Sequence, residues 1–249
     1  ISPRDWSSDV CSSDLSSNTA VAIDEDTDLT STVFKPTADQ TLKPGEIGLQ
    51  YFVSDLRAES ELPENIIADA KTDLALAALA KVESDLCGDL SSLTGGTIGA
   101  SGTAITWGYV AAAIAQARNA NKNPNVPLSC VIHGYQWAVL AKAASVAGSS
   151  LAQAPGVTEE ITRTGWVATF MGVPIYQVFA SPDSSSDFIG GVFPATALAI
   201  DWRRGIKVEA ERNASRRGTE FNMSAVYAHG VWRPALGVKM TFAATAPTS

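Results

Sequence analysis

The sequence predicts an α+β protein, and three patterns along its 249 residues support this fold class. A helical pattern of about 28 residues begins at Glu61–Glu64 and continues to about Ser91. Between residues 106 and 200, short apolar strands alternate with amphipathic helices. From 201 to 246, apolar and polar residues alternate with the period of a β-strand. These patterns predict a long helix, a mixed lobe and a closing β-layer.

Composition and charge exclude several classes of protein. The chain is 45% hydrophobic and 18% charged, which is typical of a globular protein and not of a disordered or collagen-like one. Its net charge of −8 repels phosphate backbones and argues against a dedicated nucleic-acid binder. No stretch approaches the roughly 20 apolar residues of a membrane helix, so we expect no membrane association. Three cysteines are too few for a disulfide framework and fit a reducing compartment.

The N-terminal residues divide into two segments. Residues 1–15 contain Asp5–Leu15, which resembles the translation of a sequencing adapter; the alternative is a natural tail rich in serine and aspartate. We therefore exclude this segment from the fold and expect the natural gene to begin further upstream. Residues 16–31 are rich in Ser, Thr and Asp and predict an extended arm.

Residues 32–60 predict a projecting hairpin. A strand pattern extends from Val33 to Ser54, and Lys43–Gly45 marks the turn. An isolated hairpin is marginally stable in water, so its apolar residues require cover from another element or another subunit.

The long helix is predicted to carry two apolar stripes on neighbouring faces. Its length of about 42 Å suggests a spine that crosses the subunit. The first stripe holds Ile67, Ala70, Leu74, Ala78 and Lys81, and the second holds Leu76, Leu79, Leu86 and Leu90.

The lobe from 106 to 200 is predicted from alternating elements. Thr106 is a plausible N-cap for a helix that uses Trp107, Val110, Ile114 and Ala117 on one face. The further elements are a strand at Leu128–Ile132, a helix at Tyr135–Ala147 using Trp137, Leu140 and Ala144, and a hairpin of Trp166–Phe170 and Pro174–Phe179 turning at Met171–Val173.

The C-terminal β-layer is predicted to bury one face. Ile206, Val208 and Ala210 alternate with charged residues; Phe221, Met223, Ala225 and Tyr227 share a face; and Val238, Met240 and Phe242 are expected to close the layer.

Few residues are candidates for a catalytic or ligand-binding site. Asp24–Asp28 resembles a calcium loop but has Leu29 and Lys35 where a glycine and an acid are needed. The glycines of Gly95–Gly102 lack the Lys-Ser/Thr of a phosphate loop.

Cys130 and His133 have the spacing of metal ligands, but His229 is the only other histidine, so a buried thiol and a structural histidine are the favoured interpretation. No G-x-S-x-G nucleophile motif occurs. We therefore predict no catalytic, cofactor-binding or metal-binding residues, no cofactor and no enzymatic activity.

The one basic cluster is interleaved with acids. It comprises Arg203, Arg204, Lys207, Arg212, Arg216 and Arg217. Basic and acidic residues interleaved along a strand predict a solvated face with salt bridges; the alternative is that some of the bases pair with acids of a neighbouring subunit. Because an arm, a hairpin and an overlong helix cannot bury their own surfaces, the pattern favours assembly.

In order and content, residues 32–246 resemble the major capsid protein of tailed phages, which has the HK97-type fold. The resemblance rests on Pro63–Leu90, Cys130–Trp137, Phe170–Tyr176, Arg212–Tyr227 and Gly237–Val238. It implies an N-arm at 16–31, an E-loop at 32–60, a P-domain of 61–105 with 201–246, and an A-domain at 106–200.

The resemblance also implies a function. Copies of the chain would form hexamers and pentamers of an icosahedral shell around double-stranded DNA. The shell would assemble in the bacterial cytoplasm with portal and scaffolding proteins, and whether a decoration protein also binds is left open. Lys35, Lys43, Asn213 and Asn222 are positioned as candidates for the intersubunit crosslink of some members, although no motif supports it. The alternatives are an encapsulin-like compartment, or a small hydrolase or metalloenzyme using Cys130, His133 or His229.

Overall fold

The computed structural model describes residues 42–60, 63–122, 125–145, 169–180 and 186–247. All elements below lie in the unit Lys43–Ser249. The helices are α1 (Asp55–Ser60), α2 (Pro63–Asp89), α3 (Trp107–Asn121) and α4 (Gly134–Ser145), with 3₁₀ turns at Leu90–Ser92 and Pro234–Leu236. The strands are β1 (Gly45–Ser54), β2 (Thr97–Gly99), β3 (Leu128–His133), β4 (Thr169–Phe170), β5 (Val173–Val178), β6 (Asp187–Pro194), β7 (Leu198–Asn213), β8 (Gly218–Val231) and β9 (Val238–Ala243).

A three-stranded antiparallel sheet in the order β1-β8-β7 supports the long helix α2. Leu74 and Ala78 of α2 are fully buried against Phe221 and Met223 of β8. The helix begins at Pro63 and continues into a 3₁₀ turn at Leu90. Proline is tolerated at this first position because the N–H groups of the first turn have no intrahelical acceptor. The predicted spine helix and its first stripe are therefore confirmed, except that Lys81 is exposed.

The predicted 32–60 hairpin is confirmed only for its second strand. β1 pairs along all ten residues with β8, from Gly45 opposite Tyr227 to Ser54 opposite Gly218. Its apolar side therefore packs on α2 within the same chain, while several side chains remain partly exposed. The first strand, at Val33, falls outside the described residues, as do the adapter-like 1–15 and the arm at 16–31.

A mixed six-stranded sheet, ordered β2-β9-β6-β3-β5-β4, forms the second layer with α3 and α4. The core of this layer contains Val110 and Ile114 of α3, Ile132 of β3 and Phe242 of β9. Thr106 caps α3 as predicted, since its side chain accepts a hydrogen bond from Tyr109 N. The lobe helices and strands at 107–145 are confirmed within one or two residues, as far as the described residues extend.

Two tight backbone features depend on residues with positive φ. Gly99 ends β2 at φ +84°, and a Cβ there would lie 2.4 Å from Thr241 O of the adjacent strand β9. Met171 and Gly172 join β4 to β5 with φ 51° and 76°, the signs that a two-residue type I′ turn requires. The turn and second strand of the predicted hairpin are thereby confirmed, whereas residues 166–168 of its first strand fall outside the described residues.

The C-terminal β-layer differs from the prediction in two places. β9 pairs with β6 and β2 in the six-stranded sheet, so Val238, Met240 and Phe242 close the lobe core and not the face shared by β7 and β8. Ile206 and Ala210 are exposed, because β7 is the edge strand and α2 lies mainly over β8 and β1. The predicted buried face of β8, from Phe221 to Tyr227, is confirmed.

Candidate functional site

A polar cluster fastens the C-terminal half of α2 to β8. Tyr227 donates its hydroxyl to Asp85 Oδ2 at 2.6 Å, and Lys81 Nζ lies 2.6 Å from Asp85 Oδ1. Burial raises the pKa of Asp85, but these two hydrogen bonds outweigh it, so the pKa of its carboxyl is lowered overall. On the next turn, His229 Nδ1 lies 2.8 Å from Asp89 Oδ2. The cluster ties the helix to the strand through Tyr227 on Asp85 and through the contact of His229 with Asp89.

Cys130, His133 and His229, the candidate residues of a hydrolase or metalloenzyme, do not form one site. Cys130 is fully buried in the lobe, and burial raises the pKa of its thiol to about 12, which disfavours the reactive thiolate. His133 is also buried; this lowers its pKa, against an opposing effect of Glu83, and its Nδ1 accepts a hydrogen bond from Tyr135 N at 3.1 Å. His229 lies in the other sheet, on β8.

No metal site is visible in the part of the chain that the structure describes, where no three His, Cys, Asp or Glu side chains gather as ligands could. Among the same residues, no helix combines the length and the apolar character needed to cross a bilayer.

Five of the six residues in the basic cluster of β7 and the following turn form ion pairs within the chain. Arg212 holds Asp55 at 2.5 and 2.7 Å, and this hydrogen bonding lowers the pKa of Asp55. The other pairs are Arg203 with Asp201, Arg204 with Glu46, Lys207 with Glu209, and Arg216 with Glu220. The predicted salt-bridged face is confirmed, whereas pairing across subunits stays a prediction.

The crosslink candidates are widely separated within the chain. Lys43 precedes β1 at the end that faces Tyr227, whereas Asn213 lies level with the opposite end of β1, since Ser54 and Asn213 both pair with Gly218; by strand rise the two ends of β1 are about 30 Å apart. Asn213 Nδ2 donates to Glu220 Oε1 at 3.0 Å, and Asn222 lies between Gln50 and Glu209 in the sheet. Lys35 falls outside the described residues. A bond between Lys43 and Asn213 would have to join two copies, and it stays a prediction.

Several large apolar side chains are exposed. Leu76 and Leu79 of α2 are 58% and 55% exposed, on the side of the helix away from Leu74. Phe179, which follows β5, is 74% exposed, and its backbone N–H donates to Glu83 Oε1 at 2.7 Å. The sequence predicted the leucines as a second stripe but gave no signal for Phe179, whose exposure depends on the tertiary contact with Glu83.

Sequence reasoning also missed Gln136, the polar centre of the lobe. Its side chain is almost fully buried on α4, where Nε2 donates to Phe188 O at 3.1 Å and to Phe242 O at 2.9 Å. Oε1 accepts from His133 N at 3.1 Å. A glutamine in an amphipathic helix ordinarily indicates a solvated face, so the pattern gave no warning of this bridge between α4, β6 and β9.

The arrangement of the two sheets and α2 matches solved capsid structures. No protein-family model and no curated protein matches the sequence significantly. A structure from Mycobacterium phage Che8 is 19% identical with a TM-score of 0.63, over 85% of this chain and 81% of that chain. The capsid structure of cyanophage P-SCSP1u is 16% identical with a TM-score of 0.66, over 92% and 81%.

A virus-like particle from Pyrococcus furiosus is more distant, at 11% identity and a TM-score of 0.52 over 81% of this chain and 76% of that chain. The likeness to the phage structures spans nearly the whole chain despite low identity. The chain therefore has the fold of phage capsid proteins, with which the predicted HK97-type α+β fold is consistent.

Proposed function

We propose that this chain is the major capsid protein of a tailed phage, a structural subunit that assembles with copies of itself into the icosahedral shell around double-stranded DNA. The observation that carries the proposal is the two-sheet architecture with its long helix, which phage capsid structures share over as much as 92% of this chain. The paired basic cluster and the buried thiol support a structural role over an enzymatic one.

The proposed domains follow the predicted division into arm, E-loop, P-domain and A-domain. In this proposal β1 belongs to the E-loop, α2 with β8 and most of β7 to the P-domain, and β3, β4, β5 and β6 of the six-stranded sheet to the A-domain. Hexamers and pentamers, a location in the virion, assembly in the host cytoplasm, and portal, scaffolding and decoration partners belong to this proposal.

The experiment is negative-stain electron microscopy of the purified full chain, with sedimentation velocity as a second measure of size. We expect hollow shells of uniform diameter. A chain that stays monomeric at high concentration while turning over a substrate would overturn the proposal and favour the enzyme alternative.

An encapsulin-like compartment is the second candidate, supported by the likeness to the Pyrococcus furiosus particle. Both candidates form shells, so the neighbouring genes separate them. A portal or terminase gene beside this one supports the phage shell, whereas a cargo-enzyme gene supports the compartment.

A further inference from the structure

We infer that an exposed apolar patch joining α2 to α4 is a contact surface for a second copy of this chain; the inference rests on the proposed function. The patch, called here the α2–α4 patch, consists of Leu76, Leu79, Tyr135, Val139 and Phe179. Their exposed fractions range from 37% for Val139 to 74% for Phe179.

Contacts within the chain make the patch continuous. Leu79 lies one helical turn before Glu83, whose carboxylate accepts the backbone N–H of Phe179 at 2.7 Å. The Phe179 ring lies over Gly134, where a Cβ would be 2.7 Å from the ring. Tyr135 follows directly, and Val139 lies one turn further along α4.

The Phe179 ring is held outward by these contacts. The hydrogen bond to Glu83 fixes the backbone, and the absence of a side chain at Gly134 leaves room for the ring on the surface. A side chain positioned before binding loses less conformational entropy when a partner covers it. The arrangement therefore suits a contact residue better than a fluctuating surface ring.

The chemistry of the patch selects the class of partner. Among the described residues, its charged neighbours include Glu83, whose carboxylate already accepts the N–H of Phe179, and Lys142, one turn beyond Val139 on α4. A single lysine beside an acid is not the cluster of bases with which proteins bind the phosphates of nucleic acid or lipid. An apolar protein surface is the partner that such a patch fits.

The area of the patch indicates a repeated contact between copies. With about 200 Å² for each aromatic and about 120 Å² for each aliphatic side chain, the exposed fractions of the five residues together give roughly 400 Å². This lies within the range of about 300–600 Å² for the largest patch of a monomer, which is often functional. It is smaller than the roughly 800 Å² per partner of a stable isolated dimer, and is sufficient where each copy makes several contacts in a closed assembly.

The test compares the full-length wild type with Leu79→Asp and Phe179→Asp, and uses Met171→Asp as the matched control. Met171 lies in the turn between β4 and β5, outside the patch, and is 49% exposed, so its replacement introduces the same charge at a similarly open position. Sedimentation velocity measures the concentration at half-assembly. We expect at least a tenfold increase for the two patch variants and less than a twofold change for Met171→Asp.

Hydroxyl-radical footprinting of the wild type tests the contact without any substitution. Oxidation of Leu79 and Phe179 should fall at least fivefold between the dissociated and assembled chain. Equal oxidation in both states would overturn the inference, as would protection already present in the dissociated chain, which would assign the patch to another segment of the same chain.

The variants decide between the two proposals. Patch variants that assemble like the wild type, or a Met171→Asp variant that loses assembly equally, would overturn this inference and leave the shell function standing. A wild type that never associates would overturn the proposed function and the inference with it.

Discussion

Replacing Leu74 by alanine should destabilise the folded chain strongly, because Leu74 is the larger of the two fully buried α2 side chains that pack on the three-stranded sheet. A buried Leu→Ala change costs about 2–5 kcal/mol, through lost transfer energy and a residual cavity. Here the neighbours Ile67 and Val208 are only partly buried and allow some relaxation, so we expect about 3 kcal/mol. For a chain of this size, that corresponds to a fall in melting temperature of roughly 6–12 °C.

The measurement is urea unfolding of the dissociated chain, followed by circular dichroism. Leu76→Ala is the matched control, since the same change two residues away removes a side chain that is 58% exposed. We expect the control to alter the free energy of unfolding by less than about 0.5 kcal/mol. Equal losses for the two variants would refute the assignment of the inner and outer faces of α2.

Three further predictions concern the lobe and the α2–β8 cluster. Gln136→Ala removes a partner from three buried backbone groups and should lower the free energy of unfolding by about 2–4 kcal/mol in urea titrations; a loss below about 1 kcal/mol would contradict the bridging role. Gly99→Ala introduces both strain from the positive φ and a clash with Thr241 O, so thermal unfolding should show a loss of about 2 kcal/mol or more in the free energy of unfolding. The control is Gly102→Ala, where φ is +73° but the space around the added Cβ is open, and it should lose about 1 kcal/mol. Equal losses for the two variants would contradict the clash. The pKa of Asp85 is lowered in the folded chain, so its contribution to stability is present above the pKa of the unfolded chain and is lost as the pH falls through the folded value. The stability advantage of the wild type over Asp85→Asn should therefore shrink between about pH 5 and pH 2. An advantage that stays constant in acid-titrated urea unfolding would contradict the lowered pKa.

The sequence predicted the elements that local physics determines. The periodicity of Leu74 and Ala78 and the cap at Thr106 placed α2 and α3 nearly to the residue, because helix spacing and capping involve neighbours within a few positions. The tight turn at Met171–Gly172 was predictable for the same reason, since two strand patterns flank a glycine.

What the sequence could not predict depends on pairing between distant segments. The alternation in β9 is the same whether its partner is β8 or β6, so period alone could not choose the sheet. The exposure of Ile206 follows from the position of β7 at an edge, which sequence does not encode. Phe179 and Gln136 were missed because a contact from another element fixes each of them.

The position of β9 has a consequence for how the chain is made. Residues 238–243 fill the gap between β2, which precedes them by about 140 residues, and β6. During synthesis on the ribosome, the six-stranded sheet therefore stays incomplete until residues 238–243 have been translated, and the edges of β2 and β6 that β9 covers remain unpaired until then. A strand edge without a partner can pair with other chains, so the nascent lobe is open to such contacts until β9 occupies its place.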